Sequence, residues 1–150
     1  MKKDLTISYD AFMLKFKGTM KSLGLNNSIQ REYVLKILFK SDTHLSADAL
    51  LHEVKKEYEV TMGIATVYRI LNLLEELHIV NGISFNGNEG KVYELNLVSH
   101  HDHMVCTECK KIIEFYDADL EKLQEDVASS NGFTLESHNM LLYGICEECQ

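Results

Sequence analysis

Two Cys-X-X-Cys pairs constrain this chain more than any other feature of its sequence. All four cysteines belong to them, Cys106 and Cys109 in the first pair and Cys146 and Cys149 in the second. Each pair can place two sulfur atoms about 3.5 to 4 Å apart on one tetrahedral ion, with metal–sulfur bonds of about 2.3 Å. Four thiolates leave no open position for water. The spacing therefore predicts a structural zinc ion that ties the start of a C-terminal domain to the last residues of the chain.

Redox-active or disulfide-bonded pairs are the main alternative to zinc. A redox Cys-X-X-Cys motif usually occurs singly, at the start of a helix that follows a strand. An iron–sulfur cluster generally has three cysteines close together in sequence. Because no continuous apolar stretch suggests a signal peptide or a membrane span, we expect a cytoplasmic protein whose thiols stay reduced.

The acidic charge of the chain is concentrated in its last third. The net charge is -8, yet residues 1–96 carry 12 basic and 12 acidic side chains, whereas residues 97–150 carry 3 and 11. Residues 1–40 alone carry 8 basic and 3 acidic side chains. Because Lys and Arg supply most of a protein's affinity for phosphate, this segment is compatible with DNA binding, although an ordinary solvated face would have the same composition.

Hydrophobic periodicity predicts four helices in the N-terminal part. Ser8 is placed to cap the first helix and Gly24 to end it, while the second follows Ser28, the third begins near Ser46 and the fourth follows Gly63. The residues expected to face the interior are Tyr9, Phe12, Met13, Phe16, Met20 and Leu23, then Val34, Leu35 and Leu38, then Leu50, Leu51, Val54 and Tyr58, and finally Ile64, Val67, Leu71 and Leu74.

Two predicted strands follow the fourth helix. The first includes Ile83 and Phe85, the second spans residues 92–95, and a Gly-containing turn over residues 86–91 joins them. Helices followed by such a hairpin indicate a winged helix-turn-helix.

Residues 97–150 predict a small mixed α/β domain. The expected elements are strands at Met104-Val105 and residues 112–115, a helix through Leu120, Leu123 and Val127 that ends at Asn131-Gly132, and a closing hairpin over residues 133–145. The predicted fold class is therefore α+β, with a winged-helix domain over residues 1–96 that includes an extra N-terminal helix, and a small α/β domain over residues 97–150.

A run of histidines lies at the start of the second domain. If the run is extended, His101 and His103 point to one face and His100 and Asp102 to the other, which gives two sites. The other side chains that could complete these sites are those of Glu94, Glu114, Glu121 and His138. Mixed nitrogen and oxygen shells suit iron, manganese, nickel or zinc and hold them less tightly than thiolates do. A histidine run alone is equally compatible with a solvated surface cluster.

The sequence resembles the ferric uptake regulator family over nearly its whole length. The resemblance rests on Gln30-Arg31 after a Gly-Leu, GIATVYRILN at 63–72, HHDHMVC at 100–106, KIIEF at 111–115 and the terminal Cys-X-X-Cys. The long N-terminal helix resembles members from the Helicobacter and Campylobacter group. The resemblance implies a winged-helix domain joined to a dimerisation domain. It also implies a homodimer, extending to a tetramer on DNA, that binds AT-rich inverted repeats in double-stranded DNA and mainly represses iron-uptake genes.

The resemblance also implies a role for each candidate ligand. Cys106, Cys109, Cys146 and Cys149 match the structural zinc ligands. A regulatory site is matched by His44, Glu94, His101, His103 and Glu114, and an additional site by His100, Asp102, Glu121 and His138. The implied regulatory ion is Fe²⁺, which Zn²⁺, Mn²⁺ or Co²⁺ can replace in vitro. From the residues alone, His44 would have been taken as a surface histidine.

The resemblance places the DNA contacts on the fourth helix, at Thr66, Tyr68 and Arg69. An Arg can bond a guanine edge and a Tyr ring can pack on a thymine methyl, although Tyr68 could instead belong to the core. The family usually has a lysine where this chain has Asn26. Either Lys21 or another basic residue of the first helix takes over that contact, or the target preference changes.

Sensors of zinc, manganese, nickel or peroxide in the same family are the alternatives to an iron sensor. Zinc sensors tend to have a cysteine in place of Glu94, and peroxide sensors an aspartate in place of Glu114, so both residues favour iron. From other classes, an open His/Glu site could make a metal-dependent hydrolase, and a zinc-stabilised interaction module would show no metal-dependent DNA binding. The basic first forty residues and the winged-helix pattern favour a regulator that is not an enzyme.

Overall fold

A computed structural model describes residues 7–85, 90–97 and 100–150. These residues form two compact units, one made of residues 7–84 and 90–97 and the other of residue 85 and residues 100–150. The elements in chain order are α1 (Tyr9–Ser22), α2 (Ile29–Lys40), β1 (Leu45–Ser46), α3 (Ala47–Tyr58), α4 (Ile64–Glu76), β2 (Val80–Ser84), β3 (Lys91–Leu95), β4 (Asp102–Cys106), β5 (Ile112–Phe115), α5 (Ala118–Ser130), β6 (Leu141–Gly144) and a 3-10 helix (Glu147–Cys149). Helices and small sheets in this order confirm the predicted α+β class. Among the described helices, none has the length and apolar character to cross a membrane.

Three serines start the first three helices, as the sequence predicts. The hydroxyls of Ser8, Ser28 and Ser46 each accept a hydrogen bond from the backbone N–H three residues further on, at 3.2 to 3.3 Å. Each bond satisfies one of the free N–H groups in the first turn of a helix. Gly24 follows α1 with a φ of +67°, a left-handed conformation that glycine adopts without strain.

The first unit has a continuous apolar core to which α1 contributes. The predicted interior residues that are buried are Phe12, Met13, Phe16, Met20, Val34, Leu35, Leu38, Leu50, Val54, Val67, Leu71 and Leu74. Aromatic rings join α1 to α2, with Phe39 5.2 Å from Tyr9 and 5.8 Å from Phe12 between ring centroids. Leu23 was expected inside but is half exposed, because α1 ends at Ser22 and Leu23 leaves the helical path.

The sheet of the first unit has the order β1-β3-β2, with both pairings antiparallel. The β2–β3 pair is the predicted hairpin, although β2 begins earlier than expected, at Val80, and stops before Phe85. Most of the predicted turn, residues 86–89, lies outside the described residues. The two-residue strand β1 was not predicted because it is too short to show an alternating pattern.

The second unit has a sheet of order β5-β4-β6 and one helix, α5. Strand β4 is antiparallel to β5 and parallel to β6. The predicted closing hairpin over residues 133–145 is wrong. Residues 133–140 form no strand, because they connect the end of α5 to the edge of β4, where β6 pairs in the parallel direction.

Little of the second unit is buried within the chain itself. In its described part the buried residues are Asp102, His103, Val105 and Cys106, all in β4, and α5 buries none. A fully buried apolar side chain contributes about 1.5 to 3 kcal/mol, whereas ordering each residue costs about 1 to 2 kcal/mol. Apolar contacts within the chain therefore cannot alone stabilise this unit, and it requires an ion, a partner surface or both.

Candidate metal centres

The four cysteines meet at one end of the second unit. Cys106 is the last residue of β4 and Cys109 lies in the turn that follows, while Cys146 precedes the 3-10 helix and Cys149 is its last residue. Their ligand atoms all lie within 4.8 Å of one another, and the Sγ atoms of Cys109 and Cys146 are 3.7 Å apart. Tetrahedral bonds of about 2.3 Å place sulfur atoms about 3.8 Å apart, so the donor set fits one zinc ion.

The electrostatics of the thiols also fit a cation. The backbone N–H of Cys146 donates to Cys106 Sγ at 3.4 Å, and this bond is the largest cause of a pKa of about 6 for Cys106. The pKa of Cys149 is raised to about 12, first by its neighbour Cys146. In the absence of a nearby cation, the thiol of Cys106 ionises readily, whereas the thiol of Cys149 stays protonated. A divalent ion would remove this conflict by compensating the charge of the thiolates.

A second cluster in the same unit combines two imidazoles with two carboxylates. His100 Nε2 lies 3.6 Å from Asp102 Oδ1 and 3.2 Å from Glu121 Oε1. His138 Nε2 lies 3.7 Å from Asp102 Oδ1 and 3.4 Å from Glu121 Oε1. Ligand bonds of about 2.1 Å to a tetrahedral ion would separate the donor atoms by about 3.4 Å. The four atoms are therefore spaced as the shell of one ion.

The surroundings of this cluster also suit a cation. The Asp102 side chain is 2% exposed and accepts a hydrogen bond from the Met140 N–H at 3.3 Å. His138 Nε2 is buried and makes no hydrogen bond within the described part of the chain. Burying a carboxylate beside an imidazole nitrogen that makes no hydrogen bond is costly unless an ion or a proton satisfies them. The residues predicted for the additional site are thus brought together.

In the first unit, the partly buried His44 pairs with the buried Glu94. Strand β1 pairs with β3 so that Leu45 lies opposite Tyr93, which brings the preceding His44 beside Glu94. The distance between His44 Nε2 and Glu94 Oε2 is 3.2 Å, and the two side chains are 13% and 2% exposed. A surface position for His44 is therefore excluded.

In the second unit, the other three predicted regulatory ligands lie close together. His103 in β4 lies directly opposite Glu114 in β5. The ring centroids of His101 and His103 are 4.8 Å apart, and His103 is 3% exposed. This grouping agrees with the predicted alternation, in which His101 and His103 share a face.

Helix α4 presents polar side chains on the surface of the first unit. Tyr68 is 44% exposed, so it is not a core residue. The exposed Arg69 donates from Nη2 to Thr66 Oγ1 at 3.1 Å. No side chain caps the start of α4 and its first turn carries no acidic residue, a pattern that suits the approach of phosphate groups.

A groove of about 420 Å³ lies beside the end of α1, with Lys21 and Asn26 among its lining residues. Lys17 also lines the groove, but its Nζ is 3.0 Å from the carboxylate of Glu32. Among the described residues, Lys21 has no such ionic partner and is exposed. A cation at Lys21 therefore shares one surface with Asn26, the position at which the family usually has lysine.

Comparisons with known proteins agree with these features. The model of the ferric uptake regulator family matches residues 22–143. The ferric uptake regulation protein of Campylobacter jejuni is 47% identical over 144 residues, which cover 95% of this chain and 91% of that protein. The corresponding protein of Helicobacter pylori is 37% identical over 141 residues, covering 94% and 93%.

Solved structures give the same result. The structure of the Helicobacter pylori ferric uptake regulator, which is described as having three functional metal-binding sites, is similar with a TM-score of 0.83 at 37% identity. The similarity covers 100% of this chain and 97% of that one. This chain likewise gathers side chains that could hold metal in both of its units. It belongs to the ferric uptake regulator family and is a metal-dependent transcription regulator.

Proposed function

We propose that this regulator senses Fe²⁺ and, as a cytoplasmic homodimer, represses iron-uptake and iron-homeostasis genes by binding AT-rich inverted repeats. In this proposal residues 1–96 bind DNA, and residues 97–150 form the dimer and hold metal. The protein acts by binding and not as an enzyme. Two dimers on one operator would give the tetramer that the resemblance allows.

The observation that carries the proposal is the pair of His44 and the buried Glu94 in the unit that contains α4. Two metal-binding side chains, 3.2 Å apart, are built into the DNA-binding unit through the β1–β3 pairing. By resemblance to the family, we assign His101, His103 and Glu114 of the second unit to the same regulatory ion. Ligands from two domains would couple ion binding to the domain arrangement, and so to DNA binding.

Among the metals that members of this family sense, the proposed ligand set favours Fe²⁺. The five proposed ligands offer imidazole nitrogen and carboxylate oxygen and no sulfur. Such a shell suits an exchangeable Fe²⁺, whereas the four thiolates suit a permanent Zn²⁺. Since Zn²⁺, Mn²⁺ and Co²⁺ accept the same donors, we expect them to act as substitutes in vitro.

The exposed apolar residues of the second unit support a homodimer. Leu123 and Val127 lie one helical turn apart on α5 and are 58% and 56% exposed. Met104, Ile113 and Leu142 are neighbours across the sheet, and each is more than 40% exposed. Burial of these side chains against a second copy would supply the apolar contacts that the unit lacks within one chain.

Arg69 and Tyr68 are the residues that we propose to read the bases. Arg69 would bond a guanine edge while Tyr68 packs on a thymine methyl, and Thr66 would support the Arg69 side chain. Lys21 would enter the narrow minor groove of an AT-rich sequence in place of the missing lysine at Asn26. A positive potential at these places can coexist with a net charge of -8, because the acidic excess lies in residues 97–150.

The proposal is tested by measuring DNA affinity under anaerobic conditions across a metal series. Zinc-loaded protein is titrated onto an AT-rich inverted repeat and onto a random duplex, with Fe²⁺, Mn²⁺, Co²⁺ or extra Zn²⁺ added. Fe²⁺ should tighten binding to the repeat by about 5 to 150-fold and leave the random duplex nearly unchanged. Metal-independent binding, or equal tightening on both duplexes, would contradict it.

A further inference from the structure

An ion pair joins the end of α4 to the outer end of the β2–β3 hairpin. Lys91 Nζ donates to both carboxylate oxygens of Glu75, at 2.9 and 3.2 Å. Lys91 is the first residue of β3 and pairs with Ser84, whereas the hairpin leaves α4 at the opposite end of the ladder, near the Val80–Leu95 pair. The ion pair therefore links α4 to the Ser84–Lys91 end of the hairpin, which lies furthest from the chain segment that connects α4 to β2.

The absence of a side chain at Gly82 makes room for this pair. A Cβ atom at Gly82 would overlap Glu75 Oε1 and would lie 3.1 Å from Glu75 Cδ and 3.3 Å from Lys91 Cδ. The backbone of Gly82 does not require a positive φ. An alanine there would thus be compatible with the strand backbone, but the Glu75 carboxylate would have to shift from the position in which it meets Lys91. Gly82 serves the contact between helix and hairpin and not a turn.

The pair also lies in partly screened surroundings. The side chains of Glu75 and Lys91 are 29% and 42% exposed. Tyr93, directly opposite Gly82 in the ladder, is buried, and its pKa is raised by that burial and then by the charge of Glu75. Glu75 therefore lies over the middle of the hairpin, beside the backbone of Gly82.

We propose that Glu75 and Lys91 are positioning residues that fix the hairpin wing relative to the recognition helix α4, and that Gly82 is the residue that permits their contact. The inference rests on the proposed function, because a fixed wing matters only if α4 and the hairpin contact DNA together. A wing held at one angle favours the cognate groove geometry over random duplexes. The alternative is that Lys91 binds phosphate directly and Glu75 competes for it.

The two roles predict opposite results for Glu75→Gln. For a positioning pair, Glu75→Gln and Gly82→Ala should each weaken binding to the inverted repeat by about two- to fivefold, the range of a partly exposed ion pair, and leave the random duplex unchanged. Gly82→Ala is the sharper variant because it alters the pair without altering charge. If Lys91 were a phosphate ligand, Glu75→Gln would instead tighten binding to both duplexes. That result, or full affinity in Gly82→Ala, would overturn the inference.

Exchanging the two charges tests whether DNA affinity can be rescued, and a second ion pair in the same unit serves as the control. Glu75→Lys combined with Lys91→Glu should restore most of the affinity that either change removes. Lys40 and Glu57 form an ion pair of 2.7 Å between α2 and α3, so Glu57→Gln should leave the ratio of repeat to random affinity unchanged. Fluorescence anisotropy with Fe²⁺ present and thermal unfolding of each variant would separate positioning from loss of fold. If the DNA affinity of the wild-type protein does not respond to metal, both the proposed function and this inference are overturned. If the wild type binds DNA in a metal-dependent way and the variants have the same DNA affinity as the wild type, this inference alone is overturned.

Discussion

Removal of the zinc ion should unfold the second unit and leave the first one folded. The perturbation is Cys109→Ser, or a chelator added to the wild-type protein. In the described part of the second unit, Val105 is the buried apolar side chain apart from the proposed zinc ligand Cys106, and its burial contributes about 1.5 to 3 kcal/mol. Structural zinc contributes about 10 to 16 kcal/mol in small zinc domains, which is as large as the whole stability of a typical protein. The second unit cannot compensate for that loss.

The structure also predicts how much helical circular dichroism is lost when zinc is removed. Helix α5 contributes 13 of the 64 residues in the five α-helices of the described part of the chain, so far-ultraviolet circular dichroism should lose about a fifth of its helical amplitude. Sedimentation should show a monomer, because the proposed dimer surface is on the unit that unfolds. Wild-type protein reloaded with zinc is the control. Full helical amplitude and an intact dimer without zinc would refute the structural role of the four cysteines.

Two further substitutions test the DNA surface and the core. Arg69→Ala should cost about 1 to 3 kcal/mol on the cognate repeat and little on random DNA, and an equal loss on both in anisotropy titrations would make Arg69 a phosphate contact. Phe16→Ala should reduce the free energy of unfolding by about 3 to 5 kcal/mol, because Phe16 is 2% exposed. Leu14 on the same helix is 76% exposed, so Leu14→Ala should change that free energy by less than about 0.5 kcal/mol. Equal effects in urea denaturation would show that α1 is not docked on the core.

Local signals in the sequence predict the helices well, because they act within a few residues. The serine caps of α1, α2 and α3 and the glycine after α1 bond or bend the adjacent backbone, so their effect does not depend on the rest of the chain. Each Cys-X-X-Cys pair is also a local signal, because its two cysteines are only three positions apart in the sequence. The meeting of the pairs required a chemical argument, since 37 residues separate Cys109 from Cys146.

Contacts between distant segments were harder to predict. Strand β1 has two residues, and its pairing with β3 is what brings His44 beside Glu94, so periodicity alone gave no reason to select His44. The closing hairpin over residues 133–145 was predicted wrongly because β6 pairs with β4, a strand that is distant in sequence, and periodicity within a segment does not show its partner. The Glu75–Lys91 pair spans 16 residues and depends on the small size of Gly82, a condition that is visible only once the hairpin lies on the helix.

The central claim is that the ion bound by His44 and its proposed partners controls DNA binding. The direct measurement is DNA affinity against Fe²⁺ concentration, under anaerobic conditions, for the wild type, His44→Ala and His138→Ala. The wild type should gain about 5 to 150-fold in affinity, and DNA should tighten Fe²⁺ binding by the same factor. His44→Ala should lose both effects while keeping its zinc and its dimer, and His138→Ala, in the cluster within the second unit, should keep most of the response. Full Fe²⁺ enhancement in His44→Ala, together with its loss in His138→Ala, would contradict the account and assign the sensor to the other cluster.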